Sequence, residues 1–402
     1  MDEQMPRKPR LLVVTSMFPR WVNDSEPGFV FELCRRLTAE FEVRVIGPHA
    51  KGAAAAETID GVEVERYRYA SEWMETLAYE GGIMPKLRRQ RWKWLLVPLL
   101  LVAQYHAVRR QTRHWRPDVV HAHWIIPQGM IAALACRGRP GPRLIVTAHG
   151  GDLFALKGRW FDRVKRWVVA KAEAVTVVGW AMHGMLKALC DDITKVHVEP
   201  MGVDLRERFT PPVPPARVDG EILFVGRLVE NKGVNVLLAA MPSILTRRPD
   251  SRLIIAGFGP EEPALRAQVE ALAIQDRVTF VGPVSHSALP ELYRRVSVCV
   301  APFVTTKSGV EEGFGLVVVE AIGCECPVVA SDIPAVRDIY GDQRQGLVES
   351  GNVAALAEAV IQVLSNSREA SERVRALRLR ICAHFDWSQV ALRYARLLLG
   401  KS

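Results

Sequence analysis

The sequence predicts an α/β protein built from two doubly wound, mostly parallel sheets, and three observations carry that prediction. Short β-branched runs alternate with amphipathic helical segments along the whole chain, which is the pattern of βαβ units. The length, 402 residues, exceeds one ordinary core and suits two domains of about 200 residues each. A proline-dense stretch, RERFTPPVPPARVDG at 206–220, lies between the halves and can continue neither a helix nor a central strand.

In the first half the expected strands are LLVVTS (11–16), EVRVIG (42–47), DVVHAH (118–123), RLIVTAHG (143–150) and AVTVVG (174–179). FVFELCRRLTAEF, between the first two, places its apolar residues on a helical stripe. In the second half they are ILFVGR (222–227), RLIIAG (252–257), RVTFVG (277–282), VCVAPF (298–303) and PVVAS (327–331). The expected organisation is a first domain over 1–205, a linker over 206–220, a second domain over 221–385, and a final helix, 386–402, returning to the first domain. Ligands of such sheets bind outside the carboxyl ends of the strands, here expected to face a shared cleft.

Composition narrows the function. With 49% hydrophobic and 24% charged residues the chain is globular rather than disordered or fibrous. A net charge of +9 favours an anionic partner: a nucleotide, a nucleic acid or a phospholipid surface. The run LLVV (11–14) lacks the length and cleavage site of a signal peptide, and nowhere do 18 apolar residues follow one another. The seven cysteines are scattered and contain one C-x-C, at Cys324 and Cys326, but no C-x-x-C. The expectation is a reducing, cytoplasmic compartment. The first strand is not followed by G-x-G-x-x-G, which argues against a nicotinamide dehydrogenase.

Four motifs in the second half point at one place. FVGRLVENKG (224–233) sets Arg227 and Lys232 just past a strand end, where two cations could hold a diphosphate or simply decorate a surface loop. IIAGFGP (254–260) and TFVGPVS (279–285) end strands in glycines, Gly282 among them. Each suits either a tight turn or a close backbone approach to a ligand such as a nucleobase. EGFGLVVVE (312–320) places a glycine turn before an apolar run, so the backbone N–H groups of Gly313, Phe314, Gly315 and Leu316 could receive an anion at a helix start. Glu320 would sit one turn into that helix, within reach of a diol such as a ribose, and Glu312 would lie before it, where a sugar would project.

In this order and spacing the motifs resemble the donor domain of family-4 retaining glycosyltransferases, two Rossmann-like domains facing a cleft (the GT-B fold), with an E-x7-E signature. The resemblance extends to MFPR (17–20), PGFVFEL (27–33), PDVVHAHW (117–124), TAHGGD (147–152), GVD (202–204) and FDWSQVALRY (385–394), essentially the whole chain. One departure is Met201 before GVD, where many relatives carry asparagine. The resemblance implies that Arg227 and Lys232 hold the donor diphosphate. Glu312 and the 313–316 backbone would contact sugar and phosphate, and Glu320 the ribose. Gly28 would lie near the phosphate and acceptor, and His149 would face the transferred sugar, as a hydroxyl contact in preference to a base. It implies retention by a same-face mechanism in which Glu312 orients and stabilises rather than attacks. D-x-D occurs nowhere in the chain, so no metal and no cofactor are expected. The alternatives are a nucleotide-sugar epimerase on the same fold and a non-catalytic sugar- or lipid-binding scaffold.

Residues 86–116 hold nine Lys or Arg and no acid, matching the whole net charge of +9. Arg88, Arg89, Arg91 and Lys93 flank Trp92 and Trp94, ahead of the short apolar run LLVPLLLVA (95–103). Basic residues, indoles and an apolar core suit a segment lying on an anionic bilayer, with a core helix bearing a solvated basic face as the alternative. Attachment to the inner face of the plasma membrane and a lipid-linked or other glycan acceptor follow from the first reading. A nucleic-acid partner is not expected, because no recognition pattern accompanies the charge.

Overall fold

The computed structural model describes residues 7–21, 24, 28–79, 82–138, 141–213, 217–306 and 309–401, the side chains of Pro85 and Arg88 excepted. The chain forms two compact units, one of residues 1–178, 182–201 and 391–402, the other of residues 179–181 and 202–390.

The first unit is an eight-stranded sheet of β1 (Arg10–Val14), β2 (Glu42–Pro48), β3 (Ala56–Ile59), β4 (Val62–Tyr67), β5 (Val119–His123), β6 (Arg143–Ala148), β7 (Ala174–Val177) and β8 (Val196–Val198). Their order is β3-β4-β2-β1-β5-β6-β7-β8, parallel throughout except for the β3/β4 hairpin. Central strands covered on both faces read as unbroken apolar runs, and Leu11 to Val14 of β1 are fully buried. The chain winds outward from β1 through β2 to the hairpin, then returns to place β5 on the other side of β1. The carboxyl ends of β1 and β5 therefore flank a switch point.

The second unit is a six-stranded parallel sheet of β9 (Val218–Val225), β10 (Arg252–Ala256), β11 (Val278–Gly282), β12 (Val296–Ala301), β13 (Val328–Ser331) and β14 (Leu347–Val348). The order β11-β10-β9-β12-β13-β14 puts its switch point between β9 and β12. Ile222, Phe224, Leu253, Ile255, Val298 and Val300 supply the buried strand face of the core.

Four strands, β3, β4, β8 and β14, lie outside those expected from the sequence, although VEVERY of β4 alternates apolar and polar residues. The β3/β4 hairpin turns on Asp60 (φ 45°) and Gly61 (φ 79°), an Asp-Gly pair whose left-handed backbone matches strand twist. That dipeptide and the V-E-V-E alternation after it were the available signals. Strands β8 and β14 run only three and two residues, too short to show an alternation. The proline stretch is not a free tether at its ends. Arg217 reaches the carbonyls of Tyr293, Val296 and Glu325 at 2.7–2.9 Å, and β9 begins at Val218. Residues 214–216 of that stretch lie outside the described residues.

The segments 202–204 and 385–387 lie side by side. Val203 N donates to Phe385 O at 2.8 Å, Trp387 N donates to Val203 O at 3.1 Å, and Asp386 Oδ2 accepts from Leu205 N at 3.2 Å. Asp386 Oδ1 also accepts Ser388 N at 3.0 Å, which satisfies an orphan donor at the start of the final helix, Trp387–Leu399. From Ala391 on, that helix belongs to the first unit. There Arg143 Nη1 donates to Leu398 O at 2.7 Å, Arg393 pairs with Glu199 at 2.7 Å, and Tyr394 OH donates to Glu199 O at 3.0 Å.

A Cβ added to Gly202 would overlap the Trp387 indole, whereas Gly184 in the helix Trp180–Leu189 has open space around it. Gly202→Ala is therefore expected to cost about 1–3 kcal/mol by overpacking, and Gly184→Ala to be neutral or stabilising by up to about 1 kcal/mol. Thermal unfolding of the two variants checks this pair, and equal midpoints would contradict it.

Candidate active site

In the second unit the chain leaves β9 through Gly226 and the exposed Arg227, and a short 3-10 turn, Glu230–Lys232, follows. Lys232 Nζ lies 2.6 Å from Glu312 Oε2 and 4.9 Å from the centre of the Phe303 ring. These two groups, which the sequence assigns separately to diphosphate and sugar, are thus joined across the switch point between β9 and β12. Glu312 Oε1 accepts the Gly315 N–H at 3.2 Å. Burial pushes the Glu312 carboxyl up, but the Lys232 ammonium and the N–H groups of Phe314 and Gly315 outweigh it and hold it below the usual carboxylate range. Glu312 is a fixed carboxylate with both oxygens engaged.

Gly315 takes the left-handed conformation (φ 85°) and starts the helix Leu316–Gly323. Glu320, in that helix, is buried and already partnered: Oε2 accepts Tyr293 OH at 3.1 Å and Oε1 faces His286 Nε2 at 3.2 Å. Arg208 Nη1 lies 2.8 Å from His286 Nδ1. A guanidinium only donates, so His286 accepts at Nδ1 and donates from Nε2 to Glu320. Tyr293, His286 and Arg208 were missed from sequence. They sit 27, 34 and 112 positions from Glu320, in no shared motif.

The strand-end glycines of this unit lace the loops together. Gly226 N donates to Ala256 O at 3.0 Å, Gly257 N to Gly282 O at 2.8 Å, and Leu228 N to Phe258 O at 2.9 Å. A Cβ on Gly257 (φ 152°) would collide with the Gly226 carbonyl oxygen. For Gly257 the tight packing of neighbouring turns is reason enough for glycine, and that packing positions Arg227. The Gly282 carbonyl is taken up the same way, while the space around its Cβ position is open.

In the first unit Gly28 precedes the helix Phe29–Leu37, whose first ring stands 5.0 Å from that of His149. Trp124, just past β5, lies 4.9 Å from His149 on centres and 6.4 Å from Phe29. The structure thus brings Gly28 and His149 together, and adds Phe29, Trp124 and His123. Trp124 has φ 75°, an unusual conformation for a bulky residue that costs of order 1–3 kcal/mol. Its N–H donates to Thr147 O at 2.6 Å and its carbonyl accepts from Gly129 N at 2.9 Å, which hold it there. Burial pushes the His149 imidazole down to about 3, so it is neutral from mildly acid pH upward and a poor proton acceptor. That favours the hydroxyl contact over the base.

The basic stretch folds into the helix Ile83–Arg89, a 3-10 turn Arg91–Leu95 and the helix Leu96–His114. The long helix buries Leu96, Leu100, Gln104, Ala107, Val108 and Gln111, one face at helical spacing. Leu95, Leu99 and Val102 form a second apolar row that is exposed, Leu95 by 77%. Trp92 and Trp94 are half exposed, and Trp73, from the loop after β4, by 73%. Arg89 and Arg91 are exposed as expected, but Lys93 is not. It is only 7% exposed, with its Nζ 3.4 Å from Thr76 O, a carbonyl that Lys86 Nζ also reaches at 3.0 Å. Its stem packs inward because a 3-10 turn has three residues per turn, which sets Lys93 on the same side as the buried Leu96. The Arg88 side chain lies outside the described residues. Among the described residues no helix is long and apolar enough to cross a membrane.

Comparison with known proteins agrees with this architecture. The family described as Glycosyltransferase Family 4 matches residues 29–207, and that described as Glycosyl transferases group 1 matches residues 211–378. A glycogen synthase of Mycobacterium tuberculosis is 30% identical over 295 residues, covering 72% of this chain and 70% of the relative. A GDP-mannose-dependent alpha-(1-6)-phosphatidylinositol monomannoside mannosyltransferase of the same organism is 28% identical over 407 residues, covering 97% of this chain and 98% of the relative. The structure of sucrose-phosphate synthase from Thermosynechococcus elongatus superimposes with a TM-score of 0.79 at 22% identity, over 98% of this chain and 100% of that one. Two parallel α/β sheets, each with its motif loops at the carboxyl ends flanking a switch point, together with these relatives, establish that the chain belongs to the family-4, group 1 glycosyltransferases of the GT-B fold, which are nucleotide-sugar-dependent.

Proposed function

We propose that the chain transfers a hexose from a nucleotide-diphosphate sugar, with retention and without a metal, to a hydroxyl of a lipid-linked or other glycan acceptor at an anionic membrane surface. The observation that carries the mechanism is the engagement of both Glu312 oxygens, by Lys232 and by the Gly315 N–H. A double displacement needs a carboxylate free to attack the anomeric carbon, and this one is held by two donors. Glu312 instead orients the donor sugar and balances Lys232. The departing diphosphate is stabilised by Arg227, Lys232 and the N–H groups opening the helix Leu316–Gly323. Metal independence is supported by the absence of D-x-D from the sequence. Glu320, carrying hydrogen bonds from Tyr293 and His286, is oriented to accept from the ribose hydroxyls. His149, neutral and boxed by Phe29 and Trp124, contacts a sugar hydroxyl.

The acceptor reading rests on the exposed row Leu95, Leu99 and Val102, on the exposed Arg89, Arg91, Trp92 and Trp94 ahead of it in the chain, and on the exposed Trp73. Each basic residue near an anionic bilayer adds about 1 kcal/mol, and indoles prefer the headgroup region. The mannosyltransferase relative, matched over nearly its whole length, is named for a phosphatidylinositol glycolipid acceptor and a GDP-mannose donor. The same chemistry is assigned here in the coarser form of a nucleotide-activated hexose and a lipid-linked acceptor.

Glu312→Gln is expected to lower turnover by about 10²–10³-fold with little change in donor binding, whereas Glu320→Ala weakens nucleotide binding by about tenfold or more. Steady-state kinetics and calorimetry with UDP-, GDP- and ADP-sugars check both, and wild-type behaviour of the two variants would sink the assignment. Excess EDTA should leave transfer unchanged, and NMR of the first product should show the donor's anomeric configuration. In flotation with vesicles containing anionic lipid, the wild type should rise with the lipid at low salt and the Trp92→Ala/Trp94→Ala/Leu99→Ser variant should not. A wild-type protein remaining in the dense fraction would refute the membrane surface.

A further inference from the structure

We propose that His123 is a positioning residue that fixes the tautomer of His149: its Nδ1–H donates to His149 Nε2, leaving His149 Nδ1–H as the donor offered to the sugar. The meaning of that donor rests on the glycosyl-transfer reading above, but the tautomer itself does not.

His121 and His123 are two apart on β5, so both project from one face of a fully buried central strand, where histidine is an unusual choice. His123 Nδ1 lies 2.9 Å from His149 Nε2, at the end of the neighbouring strand β6. The two ring planes differ by 17° with centres 5.1 Å apart, the geometry of an in-plane N–H···N bond between imidazoles. One nitrogen of that pair carries the proton. His123 Nε2 decides which, because it is buried and has no hydrogen-bond partner among the described residues. If His123 carried its proton there, an N–H would be orphaned in the interior. Buried orphan N–H groups are rarer than under-used acceptors. The proton therefore belongs on His123 Nδ1, His149 Nε2 accepts, and a neutral His149 must carry its own proton on Nδ1.

Two further features support the assignment. Burial holds both imidazoles far below their ordinary pKa, so the pair stays neutral and the tautomer is defined. The His149 ring centre lies 5.0 Å from that of Phe29 and 4.9 Å from that of Trp124, both tilted against it, and these neighbours limit rotation of the ring. His121 supports His123 from the same strand, with ring centres 4.3 Å apart. Its own Nε2 is tied to Thr147 Oγ1 at 2.7 Å, so it does not compete for His149.

The test pairs a spectroscopic readout with a mutant cycle on the full chain. In histidine-¹⁵N-labelled protein at neutral pH, His149 should show a pyrrole-like Nδ1 and a pyridine-like Nε2, assigned by loss of its signals in His149→Ala. His123→Leu should lower kcat by about tenfold or more with donor KM nearly unchanged, and His123→Asn, which keeps a donor near the Nδ1 position, should recover most of the loss. In the His149→Ala background, His123→Leu should add no more than about twofold, because residues acting through one another are not additive. A protonated His149 Nε2, or an undiminished effect of His123→Leu without His149, overturns the proposal. Should His123→Leu fail to fold, the Asn variant and the wild-type spectrum decide. Should the wild type transfer no sugar while Nε2 is unprotonated, the functional reading fails and the tautomer assignment stands.

Discussion

The second unit is organised around one ion pair, Lys232 with Glu312, which bridges the loops after β9 and β12. A lone carboxylate so nearly enclosed would give up its charge, and a lone ammonium would do the same. Together they remain ionised, and the Gly315 N–H binds the second carboxylate oxygen. The pair ties the glycine turn to the loop after β9, so the start of the helix Leu316–Gly323 is set by the same contact. This explains why a loop with two glycines can be a defined site: its freedom is removed by charge from another loop.

The first unit solves a different problem with neutral groups. Its central strand β5 carries His121 and His123 where Val or Ile would pack without cost. The imidazoles are tolerated because each finds at least one partner, Thr147 for His121 and His149 for His123. The strained Trp124 that follows is held by backbone hydrogen bonds to Thr147 and Gly129. Trp124, His123 and His149 lie together at the carboxyl ends of β5 and β6, the side on which a doubly wound sheet places its ligands.

The helix Leu96–His114 carries a buried apolar row and an exposed one. Its buried row packs on the sheet, while Leu99 and Val102, with Leu95 just ahead of the helix, are exposed. A single amphipathic stripe would have been adequate for the core alone. The second row is exposed, as are Arg89, Arg91, Trp92 and Trp94 ahead of it in the chain, whereas the Lys93 ammonium turns inward to the Thr76 carbonyl.

Local chemistry was enough to read the parallel strands, the glycine turns and the E-x7-E spacing, because each depends on neighbours within about ten residues. An apolar run such as LLVV suits a buried parallel strand, and the glycine turn GFG before LVVVE suits the start of a helix. The Asp60–Gly61 hairpin was legible by the same rule, though hydrophobic runs alone did not reveal it. What only the tertiary structure decided is which distant groups meet. The sheet order sets Lys232 on Glu312, Tyr293 and His286 on Glu320, and His123 on His149, across 80, 27, 34 and 26 positions of chain. Protonation follows those meetings. Glu312 is an ion because a lysine from another loop is beside it, and His149 is neutral because the fold buries it.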